Sequence, residues 1–262
     1  MKGSPFISRR IALLGAAAAG LSFTGRLSAA ELKSGESGVV AAVTSGSTLR
    51  LDDGLSVKLA GIAVPKRAEA FGREAREGLA GLVRGRSVQL SYGGDPRDRY
   101  DRALAQLHTV SATGEPDLWV QAELVRLGLA RVYSWPDEVL DTEALYRIER
   151  EARARGRGLW ADPSYAVRSP DPDPLAQHVD SLQLVEGLVT DVTEVRGRTY
   201  LNFGADYLTD FTVTVARSHR RRFKSFDLPG LEGARIRVRG WVELINGPMI
   251  FANHPARIEL LD

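Results

Sequence analysis

The residues of this sequence that are best suited to chemistry are basic, and most of them lie near its C-terminal end. One dense cluster runs from residue 217 to residue 224, and the segment after it repeats arginine at every second position. Side chains two positions apart on a strand share a face, so this repeat predicts a row of guanidinium groups. Such groups can follow phosphates while aromatic side chains stack on bases. The predicted anion-binding residues are Arg217, Arg220, Arg221, Arg222, Lys224, Arg235, Arg237, Arg239 and Trp241.

The same residues permit other interpretations. Residues 181–262 contain eleven Lys and Arg against ten Asp and Glu, so this segment is close to neutral. A basic helix in such a segment is compatible with a nucleic acid, an acidic polysaccharide, an anionic lipid or a protein partner. Small barrels also need large apolar residues inside, so each nearby aromatic residue could be core instead of a stacking platform. The aromatic candidates are Tyr200, Phe203, Phe211, Trp241 and Phe251.

Nucleophilic and metal-binding residues are few. The sequence has no cysteine, which excludes a thiol nucleophile and a disulfide. The four histidines, His108, His178, His219 and His254, are scattered and lack the spacing of a metal site. No serine-histidine-aspartate, phosphate-loop or dinucleotide-binding motif occurs in a usable context.

Residues 1–30 are expected to be an export leader. Basic residues precede an apolar run, and the small residues ending at Ala30 favour cleavage there. Arg9 and Arg10 before that run resemble a twin-arginine export signal, with the ordinary secretory route as an alternative. The apolar run is shorter than the ~20 residues that span a bilayer, which disfavours an uncleaved anchor. Cleavage would change the net charge from +2 to −2, and the mature protein is expected in the periplasm or outside the cell, without a stable membrane span.

The remaining chain predicts two small α+β domains. Residues 38–165 alternate like strands, then show three helical segments at 69–84, 118–127 and 142–155. A stretch rich in proline and aspartate at 166–180 is expected to be a linker. Residues 181–262 predict five or six short strands with one helical turn at 217–226 between the third and the fourth strand. That order is typical of a small five-stranded barrel of the oligonucleotide/oligosaccharide-binding type, the OB-fold.

Six short motifs in the first domain occur in the order and spacing of one known family. Their joint order makes the match specific, although each one alone could be a strand, cap or turn. The motifs are Thr48-Leu49-Arg50-Leu51, Leu59-Ala60-Gly61-Ile62 with Pro65, Phe71-Gly72 with Glu74-Ala75, Asp98-Arg99-Tyr100 with Arg102, Glu123 to Ala130, and Gly158-Leu159-Trp160. In these motifs the first domain resembles the staphylococcal nuclease family, which implies an OB-fold barrel with three helices.

The resemblance also implies a catalytic site, and this sequence departs from it. Active members use Ca²⁺, a carboxylate near the attacking water and two arginines that hold the phosphate. Here Ser47 and Ala63 stand at the two metal-carboxylate positions, and Lys66 stands at the position of the acid. Lys58 replaces one phosphate arginine, and Arg102 is retained. Other acids that could substitute lie in a turn or on a helix, namely Asp52, Asp53, Glu69 and Glu74.

These replacements predict that calcium does not bind, because Ca²⁺ prefers anionic oxygen ligands and Lys66 would repel it. Lys58 and Arg102, with Lys66 as a possible third member, could still hold an anion, or Arg102 could simply pair with Asp98. The favoured hypothesis is an exported protein without a cofactor that binds single-stranded nucleic acid, another polyanion or a partner protein. An active periplasmic nuclease with an altered site and an idle structural module are the alternatives.

Overall fold

A computed structural model describes residues 32–136 and 142–261 of this chain. The predicted leader and its cleavage site after Ala30 lie outside the described residues. Two hydrophobic cores organise the described chain, one formed between Val40 and Tyr146 and the other between Leu175 and Ile258. Each core is enclosed by β-strands with few helices, so the predicted α+β class with two β-rich domains is confirmed.

The first domain is a barrel of short strands. Its strands are β1 (Lys33–Ser45), β2 (Thr48–Leu51), β3 (Ser56–Leu59), β4 (Ile62–Ala63), β5 (Ser87–Tyr92), β6 (Ala103–Val110), β7 (Pro116–Trp119) and β8 (Arg131–Val132). The main sheet has the order β3-β2-β1-β5-β6-β7, and a parallel pairing of β3 with β6 closes it. This closure brings the hairpin of β2 and β3 beside the start of β6.

Three helices cover the first barrel, close to the predicted segments. They are α1 (Gly72–Val83), α2 (Val120–Arg126) and α3 (Thr142–Ala154). In α1, Ala75, Leu79 and Val83 are fully buried at the spacing of one helical face. Helix α3 buries Tyr146 and Glu149, and a buried glutamate needs a partner because an unpaired charge is costly to desolvate.

The segment predicted to be a linker is folded onto the second domain. A short helix, α4 (Pro172–Ala176), begins at a proline, which fits the first turn of a helix. Leu175 of this helix is buried in the second core. Arg168 pairs with Val185 in a β-bridge. Residues 166–180 therefore belong structurally to the second domain and do not form an extended spacer.

The second domain is a barrel with the strand order of an OB-fold. Its strands are β9 (Leu182–Leu188), β10 (Asp191–Val195), β11 (Arg198–Asn202), β12 (Thr212–Val215), β13 (Arg235–Ile245), β14 (Gly247–Phe251) and β15 (Ile258–Leu260). Strands β12 and β14 pair in parallel, and β13 pairs with β9, β14 and β15. A 3-10 helix at Arg217–Phe223 follows β12 and places Phe223 in the core, where a helical turn was predicted. The predicted first strand is divided in two after Leu188.

The two domains are in direct contact. Arg131 donates a hydrogen bond of 2.7 Å to the carbonyl oxygen of Leu182, and the imidazole of His254 lies 3.1 Å from the carbonyl oxygen of Ser134. Within the described residues, no helix is long and apolar enough to cross a membrane.

Candidate functional site

Lys58 and Arg102 line one cleft on the first barrel. In the pairing of β3 with β6, Lys58 lies opposite Leu104, and Arg102 shares the face of Leu104 because it lies two residues earlier. The cleft has a volume of about 440 Å³. The structure therefore brings together the two basic residues that the sequence placed at phosphate-holding positions.

Arg102 is paired with Asp98 on the wall of this cleft. The Nε and Nη2 atoms of Arg102 lie 2.8 and 2.6 Å from Oδ2 of Asp98. The other carboxylate oxygen accepts backbone N–H groups of Tyr100 and Arg102, at 2.9 and 3.1 Å. Burial raises the pKa of Asp98, but hydrogen bonds from Arg102 and Tyr100 outweigh it and leave the pKa below its ordinary value. A ligand at Arg102 must therefore share the guanidinium with an ionised carboxylate.

Lys58 contacts the residue at the first metal-carboxylate position. Its ammonium group donates a hydrogen bond to the hydroxyl of Ser47, which is buried. The contact follows from the β2–β3 hairpin, because Thr48 pairs with Lys58 and Ser47 directly precedes Thr48. The Ser47 hydroxyl oxygen, which could otherwise be a metal ligand, therefore contacts a cationic side chain.

Ala63 and Lys66 line a different cleft, at the contact between the two domains. The Lys66 ammonium lies 3.9 Å from a carboxylate oxygen of Glu69 and 5.6 Å from the centre of the Trp241 ring. The prediction that Lys66 joins Lys58 and Arg102 in one cationic group is therefore wrong. The reason is that β4 ends at Ala63, so the following residues turn toward the second domain.

The acids considered as substitutes for the missing carboxylates are dispersed. Glu69 alone reaches the cleft of Ala63, where it accepts the backbone N–H of Lys66 at 2.8 Å. Asp52 and Asp53 accept backbone N–H groups near the hairpin turn, and Glu74 pairs with Arg73 on α1. Across the described parts of the chain, no group of three or more histidine, aspartate or glutamate side chains is arranged to hold a metal ion.

Two aromatic residues complete the cleft of Lys58 and Arg102, and sequence reasoning missed both in this role. Tyr100 and Trp135 line it and are 65% and 51% exposed. The ring of Tyr100 lies 5.2 Å from the guanidinium carbon of Arg102. Tyr100 could have been found from its place between Asp98 and Arg102, whereas Trp135 comes from the segment after β8. Exposed rings beside cations provide the elements that bind a base and its phosphate.

The basic cluster of the second domain remains on the surface. Its five predicted residues are exposed on or just after the 3-10 helix at Arg217–Phe223. Arg220 forms an ion pair with Glu194, and Arg222 lies 3.0 Å from the imidazole of His219. A surface cleft of about 640 Å³ borders Arg220, Arg221 and Lys224. The predicted members of this cluster are Arg217, Arg220, Arg221, Arg222 and Lys224.

The arginine row on β13 is not a continuous exposed surface, which corrects the prediction for two of its members. Arg239 is fully buried and Arg237 is 8% exposed, so neither can track an external phosphate backbone. Arg237 pairs with Glu186 at 2.7 Å, and Arg235 is exposed but pairs with the same glutamate at 3.2 Å. Trp241, at the end of the row, is 41% exposed and faces Lys66.

Arg239 is buried because it connects the two domains. It donates to the carbonyl oxygen of Val132 at 2.8 Å and pairs with Glu149 of α3 at 2.9 Å, both in the first domain. It also pairs with Glu259 of β15 and lies over the ring of Tyr146. Burial acts to lower the pKa of Arg239, but the two glutamates more than offset it and raise the pKa above its ordinary value. The residue is a structural ion-pair centre.

Comparison with known proteins matches this chain to one family profile and to several individual proteins. The family profile described as staphylococcal nuclease homologue matches residues 56–162. A protein from Escherichia coli O157:H7 described as an uncharacterized endonuclease is 32% identical over 130 residues, which are 48% of this chain and 77% of that protein. Protein ParB of Escherichia coli is 37% identical over 111 residues, 41% of this chain and 60% of ParB. A micrococcal nuclease of Shigella flexneri is 34% identical over 113 residues, 42% of this chain and 63% of that protein.

These matches are partial on both sides. The three alignments cover between 41% and 48% of this chain. The chain in turn spans less than two thirds of ParB and of the Shigella flexneri nuclease. The profile match begins at β3 and ends before the second domain, so it covers the part of the first domain that follows β2.

Proposed function

This chain belongs to the staphylococcal nuclease homologue family, and we propose that it binds single-stranded nucleic acid or a similar polyanion without calcium-dependent hydrolysis. The observation that carries the proposal is the hydrogen bond from the Lys58 ammonium to Ser47, at a position where the family resemblance implies a metal carboxylate. Ala63 stands at the second such position, so the two positions offer a hydroxyl and a methyl group in place of carboxylates, and Lys58 adds a cation beside the hydroxyl.

Electrostatics supports the loss of calcium. Ca²⁺ takes 6–8 oxygen ligands and favours carboxylates. Ser47 and Ala63 supply one hydroxyl oxygen and no carboxylate at these two positions. Two unit charges about 4 Å apart interact by ~4 kcal/mol at an effective dielectric near 20, and the repulsion doubles for a divalent ion beside an ammonium group. Glu69 and Asp180 bring carboxylates to the cleft of Ala63, but Lys66 and Arg131 line the same cleft, with the Lys66 ammonium 3.9 Å from Glu69, and offset their charge. The residues present therefore do not fit calcium.

The composition of the cleft supports binding of a phosphate-bearing strand. Lys58 and Arg102 can form charge-assisted hydrogen bonds to a phosphate. Tyr100 and Trp135 offer exposed ring faces in the same cleft, and stacking contributes roughly 1–3 kcal/mol per base. The exposed cluster at Arg217 to Lys224 is a second basic surface that a longer polyanion or a partner protein could contact.

A paired assay of cleavage and binding tests this proposal. The purified chain is incubated with labelled single-stranded DNA, with Ca²⁺ or with a chelator, and binding is measured in parallel by fluorescence anisotropy over a salt series. We expect no calcium-dependent cleavage, and binding that weakens steeply with salt because phosphate contacts release counterions. Arg102→Ala should weaken binding, whereas Arg86→Ala, which removes a surface arginine paired with Asp117 outside the cleft, should change it little.

An active nuclease is the second candidate, because the names of two relatives describe nucleases and Arg102 is retained in the cleft. Cleavage that a chelator stops and that Arg102→Ala abolishes would establish this function and overturn our proposal. Absence of both cleavage and binding at low salt would instead favour an idle structural module.

Export is part of the proposed function and can be tested separately. We propose that the leader directs the chain to the periplasm or outside the cell, with cleavage after Ala30. Replacing both Arg9 and Arg10 with lysine should retain the chain in the cytoplasm if the twin-arginine signal is used. Arg26→Lys is the matched control, because it makes the same change elsewhere in the leader. Mass spectrometry of the exported protein identifies the cleavage site, and unchanged export of the double variant would favour the ordinary secretory route.

A further inference from the structure

The outer face of the second barrel carries a cleft that the nuclease resemblance does not explain. Its volume is about 550 Å³, within the range of roughly 300–1,000 Å³ usual for small-ligand sites. Strand pairing forms one row across this face, from Asp191 to Asn202, then to Thr212 and Met249. The next row places Thr193 beside Tyr200. Polar residues of β10, β11 and β12 thus converge through the register of the sheet, beside Met249 of β14.

The polar side chains of the first row hold one another in place. One carboxylate oxygen of Asp191 accepts hydrogen bonds from Thr193 at 2.5 Å and from the amide nitrogen of Asn202 at 2.9 Å. The amide oxygen of Asn202 accepts from the hydroxyl of Thr212 at 3.2 Å, in a buried contact. The hydrogen bonds from Thr193 and Asn202 lower the pKa of Asp191 below its ordinary value. The carboxylate is therefore ionised and oriented before any ligand arrives.

Several polar side chains around this row are available to form hydrogen bonds with a ligand. Within the described residues, the side chains of Tyr200, Tyr207 and Asn246 form no hydrogen bond with the rest of the chain, and all three line the cleft. Tyr207 is 68% exposed, so its ring is open to a ligand. Met249 provides an apolar patch in the same wall. A hydroxyl-rich ring with apolar C–H faces would use both kinds of surface, since a tyrosine presents an apolar body and a polar tip.

The charge of the cleft argues against a phosphate backbone. Among the residues that the structure describes, its lining includes the ionised Asp191 and no lysine or arginine. Arg198 shares the outer face of β11 but lies outside the lining, with its guanidinium carbon 6.0 Å from the centre of the Phe251 ring. A strand of nucleic acid would bring phosphates toward a carboxylate without a compensating cation, whereas an uncharged ligand meets no such repulsion.

We propose that this face binds an uncharged saccharide, with a sugar ring against Tyr207 and sugar hydroxyls hydrogen-bonded to Asp191 and Asn246. The OB-fold is able to bind oligosaccharides on the outer faces of its strands, so the architecture permits this use. The chain would then carry two sites of opposite character, a cationic cleft on the first barrel and this carboxylate-bearing cleft on the second. The saccharide site does not depend on the function proposed for the first barrel.

A double comparison of two exposed tyrosines tests the proposal. Cellohexaose, mannohexaose and chitohexaose are presented to the purified chain, with binding detected by saturation-transfer NMR and measured by titration calorimetry. We expect at least one of them to bind, with Tyr207→Ala weakening it at least fivefold and Tyr100→Ala leaving it unchanged. Single-stranded DNA binding, measured on the same samples, should respond only to Tyr100→Ala. Thermal melting of each variant verifies that it is folded.

Salt gives an independent criterion. Binding of an uncharged saccharide should be the same at about 50 and about 200 mM salt, whereas phosphate contacts weaken strongly over that range. Failure of all three oligosaccharides to bind at millimolar concentration would overturn the proposal. Loss of DNA binding in Tyr207→Ala would also overturn it and would assign this face to nucleic acid. Failure of the saccharides to bind would leave the proposal for the cleft at Lys58 and Arg102 unaffected, because that proposal is tested by DNA binding in Arg102→Ala and Tyr100→Ala.

Discussion

Arg102 on the first barrel and Arg239 on the second show how differently the same residue type is used in one chain. The side chain of Arg102 is 31% exposed, pairs with the neighbouring Asp98 and borders a surface cleft. Arg239 is fully buried between the domains and pairs with two glutamates, one of them on α3 of the first domain. A basic residue in the sequence therefore indicates ligand binding only where solvent, and hence a ligand, can reach it.

Ion pairs in these two environments also contribute differently to the free energy of unfolding. A solvent-exposed ion pair contributes roughly 0–1 kcal/mol to stability, because water already solvates both charges. Removing one partner of a buried pair is far more costly, since the remaining charge stays desolvated. The part-buried pair of Arg102 with Asp98 lies between these two cases, and Arg102 still reaches the cleft, whereas Arg239 is fully buried in the contact between the domains.

The largest expected effect is on stability and comes from Arg239→Ala. The substitution removes the cation that Glu149 and Glu259 share. Glu259 keeps Arg150 and Arg237 at 3.4 and 3.6 Å, but Glu149 stays buried without an ion-pair partner among the described residues, so we expect the free energy of unfolding to fall by about 3–5 kcal/mol. Urea unfolding followed by circular dichroism measures this loss. If the domains separate before they unfold, the transition of the variant will also show two phases where the parent shows one.

Arg235→Ala is the matched control for that change, because it removes an arginine from the same face of β13. Arg235 is exposed and pairs with Glu186 at 3.2 Å, so the expected loss is below about 1 kcal/mol. Equal losses for the two variants would contradict the contrast between buried and exposed arginines. DNA binding by Arg235→Ala tests in addition whether any part of the β13 row contacts a polyanion.

The side chain of Arg97 is more exposed than that of Arg239 and less exposed than that of Arg235. Its ion pair with Glu36 predicts that the free energy of unfolding depends on pH. The hydroxyl of Tyr92 and the guanidinium of Arg97, the latter at 2.5 Å, donate hydrogen bonds to Glu36 and lower its pKa from 4.5 to about 2. A carboxylate with a lowered folded-state pKa stabilises the fold above pH 4.5, and this contribution is lost as the pH falls toward 2. The side chain is 39% exposed, so screening limits the contribution to about 1 kcal/mol.

Glu36→Gln tests that dependence. The parent chain should be more stable than the variant by about 1 kcal/mol at pH 7, and the difference should shrink between pH 4.5 and pH 2. Urea unfolding at several pH values measures it. A difference that stays constant over this range would mean that the carboxylate charge does not contribute.

Much of the fold could be predicted because its signals are local. The α1 helix follows from apolar residues at helical spacing, and the barrel of the second domain follows from short strands with one helical turn between them. The sequence also offers the pairing of Arg102 with Asp98, since only four positions separate them. The contact of Lys58 with Ser47 follows from the register of the hairpin.

Other features depend on contacts between segments that are far apart in the sequence. A local sequence pattern does not predict such contacts. Alternation on β13 correctly predicted that Arg235, Arg237 and Arg239 share a face, but not that α3 covers that face. The glutamate that pairs with Arg239 lies 90 residues earlier in the chain. The convergence of Asp191, Asn202 and Asn246 likewise requires the register of separate strands.

The smallest expected effect comes from Asp98→Asn and tests the ligand side of the contrast. Asp98 offsets the charge of Arg102 in the cleft, and its other oxygen accepts the backbone N–H groups of Tyr100 and Arg102. Asparagine keeps an oxygen for these backbone contacts and removes the negative charge. We expect single-stranded DNA to bind about threefold more tightly at low salt, as for the loss of one partly screened repulsion.

Asp117→Asn is the control, because it removes the same charge from an exposed pair with Arg86 outside the cleft. Anisotropy titrations of both variants separate a local effect from a change in net charge. Equal gains would show that DNA responds only to total charge, which would contradict a site at Arg102. Weaker binding in Asp98→Asn alone would mean that the carboxylate is needed to orient the Arg102 guanidinium. The guanidinium would then be less well positioned for a phosphate, and this loss would outweigh the removal of the negative charge.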